Sequence, residues 1–268
     1  MGIVLVGCGK MGGAMLEGWL DQGIAADDIR IVEHSAENAQ ALRERHGVVV
    51  YDDIAKIEED FSADIVLLAV KPQGMDAAAQ ACKRFGASTT FLSIAAGKTL
   101  SYFENILGQD AAIVRVMPNT PAAVRRGISV ACANPHVSDA TKTECCTLLE
   151  AIGEVAWVDD EALMDPVTAV SGSGPAYVFY MTECLTQAGI QAGLSQDLAT
   201  QLARATVAGA GELMRQSGID AAQLRKNVTS PGGTTQAALE VLMGEEGIAQ
   251  PMARAVDAAT QRSKELAG

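Results

Sequence analysis

Six short apolar runs in the first half of the chain leave little choice of fold. They are IVLV (3–6), IRIV (29–32), VVV (48–50), DIVLLAV (64–70), TFLSIA (90–95) and AIVRVM (112–117). Each is short, rich in β-branched residues and without the polar alternation of a half-exposed strand. Strands buried on both faces read this way. Helical patterns at 10–22, 36–46, 74–84 and 99–107 lie between them. Strands alternating with helices predict βαβ units and a doubly wound parallel sheet. GISVACA (127–133) and EVAWV (154–158) extend that sheet, with a helix at 138–151 between them. After Asp160 the pattern turns helical throughout, at 161–170, 174–192, 195–216, 220–227, 234–243 and 247–266. Gly193, Gly218 and Gly244 sit where helices should stop. The expected fold class is α/β over residues 1–159, followed by an all-α domain over residues 160–268.

The junction after the first strand carries the first chemistry. In VLVGCGKMGGAM, Gly7, Gly9 and Gly12 have GxGxxG spacing, directly after a strand and opening a helix. That context makes the motif a Rossmann dinucleotide cradle. Gly7 permits the tight turn, Gly9 lets the backbone approach a pyrophosphate, and Gly12 lets the helix pack on the sheet. The helix N-terminus offers its free N–H groups to the anion. Glu33, at the end of the second strand, is placed to bind an adenosine ribose and favours NAD. His34, Ser35 and Asn38 beside it are neutral donors able to hold a 2′-phosphate, so the residues alone divide between NAD and NADP. Three more loops, AVKPQ (69–73), SIAAG (93–97) and VMPNTP (116–121), fall at the carboxyl edge of the sheet. Ligands bind at that edge, and small residues there leave room for a flat ring.

Composition excludes several classes. The formal net charge is −13 and no basic run exceeds Arg125-Arg126, so a nucleic-acid partner is not expected. The six cysteines form no CxxC pair and the three histidines have no ligand-type spacing, which argues against a metal site. No segment has the charge and apolar pattern of a signal peptide, and none reaches the roughly 20 apolar residues needed to span a bilayer. A cytoplasmic protein with reduced thiols is expected, without a membrane partner.

The helical half begins with AVSGSGPAYVFYMTECL (169–185), in which Ser173 is expected to cap a helix starting at Gly174-Pro175. The β-hydroxyacid dehydrogenases are similar in architecture, but use a lysine on this helix as acid. Positions 174–192 here hold no Lys, His or Arg. That counts against alcohol oxidation, which needs a base for the hydroxyl proton. Hydride addition to a C=N bond needs none, provided the imine is held flat and its tail anchored. SPGGTTQAAL (230–239) suits that task. Gly232 and Gly233 form a loop, Thr234 and Thr235 open a helix, and bare amides at a helix start bind a carboxylate.

With these segments in view, the chain resembles the pyrroline-5-carboxylate reductases. GCGKMGGAM, AVKPQ, MPNTP, SGSGPAYVF and LRKNVTSPGGTTQAALEVL match that family's pattern in order, over nearly the whole chain. The resemblance implies NAD(P)H-dependent reduction of 1-pyrroline-5-carboxylate to L-proline, with NADPH preferred and NADH possible. It implies a helical dimerisation domain, a homodimer, and decamers in some members. Carried over by position, Gly7, Cys8, Gly9, Lys10, Met11 and Gly12 would hold the pyrophosphate. His34 and Ser35 would meet the 2′-phosphate, and Asp53 stands where the family commonly has Asn against the adenosine. Ala69, Val70, Lys71, Pro72, Ala95, Ala96 and Gly97 would line the nicotinamide side, with Asn119 from the third edge loop. Glu161 matches an acid near the substrate in some members. Thr235 matches the threonine that hydrogen-bonds the substrate nitrogen, and Gly232, Gly233 and Thr234 would contribute amides. The nearly all-round apolar YVFYMTECL suits burial in an obligate homodimer, with the substrate pocket near or across the interface. A general cyclic-imine reductase and a non-catalytic NADPH sensor are the alternatives.

Overall fold

The computed structural model describes residues 1–86 and 88–267. Among them, eight strands form one sheet: β1 (Ile3–Val6), β2 (Ile29–Val32), β3 (Val49–Tyr51), β4 (Ile65–Leu68), β5 (Thr90–Ser93), β6 (Ala112–Met117), β7 (Gly127–Ala133) and β8 (Gly153–Trp157). Their order is β3-β2-β1-β4-β5-β6-β7-β8. The first six pair in parallel, β7 runs antiparallel to β6, and β8 is parallel to β7. The chain therefore leaves β1 to one side for β2 and β3, then returns to its other side with β4. That reversal is the switch point at which doubly wound sheets bind ligands.

Successive strand residues point to opposite faces and both faces are covered. Ile3 and Leu5 join a core with Leu16, Trp19, Ile31 and Leu148. Val4 and Val6 join a second core with Val66, Leu68, Phe91 and Phe103. This is why the strands read as unbroken apolar runs. The covering helices are α1 (Lys10–Asp21), α2 (Ala36–His46), α3 (Met75–Cys82), α4 (Leu100–Leu107) and α5 (Asp139–Glu150). Trp19 on α1 is almost wholly buried, and its indole N–H donates to the Leu148 carbonyl at 2.9 Å, tying α1 to α5.

The helical half contains α6 (Met164–Val167), α7 (Gly174–Gln191), α8 (Gln196–Ser217), α9 (Ala221–Asn227), α10 (Thr234–Leu242) and α11 (Ala249–Ala267). The chain divides into two compact units, one of Met1–Gly172 with the residues from Ala259 onward, the other Ser173–Ala258. Residues 160–172 thus group with the sheet by their packing. Met164 and Ala169 are fully buried, Met164 within the sheet's second core, and Ser263 donates to Asp165 at 2.7 Å. These contacts hold the start and the end of the helical half in the first unit. The expected helix over 161–170 is instead a 3-10 turn (Glu161–Leu163), the single turn α6 and a π-helical turn (Thr168–Gly172). Pro166 supplies no backbone N–H to a longer α-helix there. Ser173 does not cap α7 either. The π turn runs straight into it, leaving Ser173 with helical angles (φ −85°, ψ −23°) and no capping bond.

In the second unit Ala199 and Ala203 of α8 are buried, whereas α7 exposes Val178, Phe179, Tyr180 and Met181 in succession. Among the described residues no helix is long and apolar enough to cross a membrane.

Replacing Trp19 by alanine should remove both its packing and the bond to α5. The expected loss is about 3–5 kcal/mol, read as a lower urea midpoint. A loss under about 1 kcal/mol would show that the α1–α5 layer does not depend on this side chain.

Candidate functional site

β1 delivers the chain to Gly7, whose φ of +89° turns it out of the sheet while its N–H donates to the Val32 carbonyl at 2.9 Å. A side chain is excluded there twice over, by that angle and by Val70 Cγ1, which would lie 2.9 Å from a Cβ. At Gly12 a Cβ would come within 2.5 Å of the Gly7 carbonyl oxygen, so only glycine lets α1 lie this close to the turn. Gly9 is the opposite case: a Cβ there would meet nothing within 4 Å. Gly9 also starts α1 with extended backbone and no side-chain cap. The first amides of the helix therefore open onto free space, which is what an approaching phosphate requires. A cleft of about 420 Å³ lies beside the loop, lined by Gly9, Lys10, Gly13, Asn38, Arg45 and His46 among others. Lys10 is exposed at the loop and Met11 is half-buried behind it. The residues present fit a dinucleotide pyrophosphate.

The segment after β2 is more engaged than its sequence suggests. Glu33 Oε1 accepts from the Ser35 N–H at 2.8 Å; Oε2 accepts from Asn38 Nδ2 at 2.9 Å and from the Cys8 N–H at 3.3 Å. The acid thus fastens the glycine loop to the start of α2. Cys8 turns its thiol inward, where burial first, and then the charges of Glu33 and Glu17, push it up to about 12; it is no thiolate. Ser35 caps α2, its Oγ accepting from the Asn38 N–H at 3.3 Å. His34 Nδ1 lies 2.7 Å from the Asp52 carbonyl, which can only accept, so Nδ1 carries the hydrogen. Asp53 caps a 3-10 turn, its Oδ1 accepting from the Ala55 N–H at 2.8 Å.

Further along the carboxyl edge, Ala69 and Val70 stand against the glycine turn, and Lys71 and Pro72 are exposed. Ala95 and Gly97 are buried and Ala96 is exposed. Asn119 uses both ends of its amide within this unit: Nδ2 donates to the Ser171 carbonyl at 3.2 Å and Oδ1 accepts from the Ile128 N–H at 3.0 Å. Glu161 Oε1 accepts from the Leu100 N–H, at the start of α4, and from the buried Arg115 guanidinium, both at 2.8 Å. It anchors the helix that follows the Ala95–Gly97 loop. Sequence reasoning passed over Arg115, which looks like one more strand residue until its partner is known.

In the second unit, Ser230–Gly233 forms a β-turn closed by the Gly233 N–H donating to the Ser230 carbonyl at 3.0 Å. Pro231 at the second position and Gly232 with φ +70° at the third are the signature of type II. Gly233 then starts α10 with no side-chain cap. The Gly232 N–H donates to Gln236 Oε1 at 2.7 Å. So the amides of Gly232 and Gly233 are engaged within the loop. Among the described residues, the amides of Thr234, Thr235 and Gln236 have no acceptor and the two threonine hydroxyls have no partner. Gln236 was not singled out from the sequence, although a glutamine three residues after a helix start is the capping-box spacing.

A strand, a glycine turn and an uncapped helix at the switch point of a doubly wound sheet place the first unit in the class of dinucleotide-binding domains. Residues 2–97 match the family model described as NADP oxidoreductase, coenzyme F420-dependent, and residues 161–266 match that for pyrroline-5-carboxylate reductase dimerisation. The pyrroline-5-carboxylate reductase of Pseudomonas aeruginosa is 41% identical over 266 residues, 99% of this chain and 96% of that protein. A solved pyrroline-5-carboxylate reductase from Coxiella burnetii is 34% identical with a TM-score of 0.94, covering 99% of this chain and 98% of that one. The Plasmodium falciparum pyrroline carboxylate reductase, solved with NADP bound, is 29% identical with a TM-score of 0.81, covering 100% and 98%. The chain belongs to the pyrroline-5-carboxylate reductase family.

The open space at Gly9 separates folding from binding. Gly9→Ala should leave the melting temperature of the unliganded protein unchanged and weaken NADP(H) binding roughly tenfold or more, because the methyl group would fill the space expected to receive the pyrophosphate. Titration calorimetry reads the affinity; wild-type binding by the variant would move the cradle elsewhere.

Proposed function

We propose that this protein reduces 1-pyrroline-5-carboxylate to L-proline, the closing step of proline synthesis, using NADPH in preference to NADH. The observation that carries this reading is the start of α10, where three acceptorless amides and two unpartnered threonine hydroxyls stand together. It gains support from the full-length likeness to pyrroline-5-carboxylate reductases.

The loop Gly7–Gly12 holds the pyrophosphate on the amides of α1. Ser35 and His34 meet the 2′-phosphate, with Asp53 near the adenosine. Ala69, Val70, Lys71, Pro72, Ala95, Ala96, Gly97 and the Asn119 backbone line the nicotinamide side. When bound, the reduced nicotinamide supplies a hydride to the imine carbon, and the ring nitrogen gains its proton from solvent. The substrate carboxylate docks on the amides of Thr234, Thr235 and Gln236, where the helix dipole favours a negative charge. Gly232 and Gly233 shape that loop. Thr235 Oγ1 hydrogen-bonds the ring nitrogen and fixes the face presented to the hydride. Glu161 serves the substrate indirectly, through its hold on α4.

Helix α7, exposed at Val178, Phe179, Tyr180 and Met181 all round, is the element through which we propose the chain pairs as an obligate homodimer, which larger assemblies up to a decamer would use as their unit. Six free thiols suit a reducing compartment, and the proposal takes the cytoplasm as its location.

The assay is NADPH oxidation with 1-pyrroline-5-carboxylate, repeated with NADH and with a cyclic imine lacking the carboxylate. Turnover requiring the carboxylate is expected; equal turnover without it would make the chain a general imine reductase, and binding of NADPH without oxidation would make it a sensor. Thr235→Ala should lower the rate roughly 10²–10³-fold. Wild-type turnover by that variant would remove Thr235 from the chemistry. Sedimentation at micromolar concentration should give a dimer or a multiple of it, and a monomer would contradict the pairing.

A further inference from the structure

The Pro231–Gly232 turn has one amide that the turn itself cannot satisfy. In a type II turn the central peptide, here ending in the Gly232 N–H, points away from the closing hydrogen bond. That N–H is caught by Gln236 Oε1 at 2.7 Å, one helical turn ahead. The side chain of Gln236 is itself oriented, because its Nε2 donates to Glu240 Oε1 at 3.1 Å, a further turn along α10. A carboxylate accepts only, so the NH₂ end of Gln236 must face Glu240 and the oxygen must face Gly232. Glu240, Gln236 and Gly232 thus form a directed chain of hydrogen bonds along one side of the helix start.

We infer that Gln236 is a positioning residue for substrate binding: its amide clamps the glycine turn so that the loop stays clear of the acceptorless amides of Thr234 and Thr235. Glycine at two successive positions leaves the loop otherwise free to move, and a loose Gly232 N–H or Ser230 carbonyl would sample the space where a carboxylate must dock. Holding the loop in its open form beforehand removes an ordering step from binding. Gln236 does not touch the reacting atoms in this scheme. Its effect falls on the affinity for the ring acid and not on the hydride step. The inference rests on the proposed docking of the substrate carboxylate at α10.

Two variants and two readouts test it in the intact protein. Gln236→Ala removes the clamp; Gln236→Glu keeps an acceptor for the Gly232 N–H. Hydrogen exchange at Gly232 should run about tenfold faster in Gln236→Ala, the scale of one lost hydrogen bond, and stay near wild type in Gln236→Glu. In steady state, Gln236→Ala should raise KM for 1-pyrroline-5-carboxylate about tenfold, with KM for NADPH unmoved and kcat within about twofold. Unchanged exchange at Gly232 in Gln236→Ala would overturn the clamp. Faster exchange with an unchanged KM for the ring acid, or with both KM values raised together, would overturn its role in binding. If the wild-type protein fails to oxidise NADPH with the pyrroline acid, the proposed reduction falls on its own. The inference is then read by calorimetry with tetrahydrofuran-2-carboxylate, whose affinity should drop about tenfold in Gln236→Ala.

Discussion

The close passage of α1 over the carbonyl of Gly7 is the constraint on which the rest of the first unit depends. β1 lies at the switch point between β2 and β4, so whatever leaves its carboxyl end occupies the centre of the binding edge. With a side chain at residue 12 the helix would be forced off the turn, and its amides would no longer converge on the open space at Gly9. Glu33 then locks the arrangement from the neighbouring strand by holding Cys8, Ser35 and Asn38 at once. A carboxylate in that position satisfies three donors that would otherwise compete for a ligand.

Two kinds of helix start bear on the proposed binding. α2, α4, α5 and α8 are capped by the hydroxyls of Ser35, Thr99, Ser138 and Ser195. α1 and α10 begin instead from extended glycines, Gly9 and Gly233, with no side-chain cap. A serine cap consumes an amide that a ligand would need, whereas a glycine start leaves it available. In the proposed function, one physical device thus serves both the phosphate in the first unit and the carboxylate in the second. The proposed hydride addition calls for no strongly shifted acid or base, and the strongly raised groups, Cys8, Cys82, Cys145 and Tyr102, owe their shifts chiefly to burial.

Much of this was legible in the sequence because burial on both faces writes itself directly into residue type. IVLV, IRIV and AIVRVM became β1, β2 and β6 with the limits expected. DIVLLAV and TFLSIA were read too long, since pairing ends at Leu68 and Ser93. The small residues beyond, Ala69 and Ala95, are apolar but lie at the carboxyl edge of the sheet, and hydropathy cannot distinguish that edge from a strand. The glycine spacing was legible because Gly7 and Gly12 each meet a separate steric demand of the turn, while Gly9 leaves a space that only the proposed ligand would fill. Partners distant in sequence were not legible. Nothing near Glu161 announces Arg115 or Leu100, nothing near Asn119 announces Ser171 and Ile128, and Asp53 as a turn cap looks the same as Asp53 as a ligand. Ser173 failed as a cap because a π turn, which has no simple residue signature, carries the helix through it.

The most direct test is a crystal structure with NADP and tetrahydrofuran-2-carboxylate bound together. The account predicts the ring acid's carboxylate about 3 Å from the Thr234 and Thr235 amides, its ring oxygen within reach of the Thr235 hydroxyl, and the pyrophosphate over Gly9. A ring acid seated away from the start of α10, or a pyrophosphate held without the amides of α1, would contradict it.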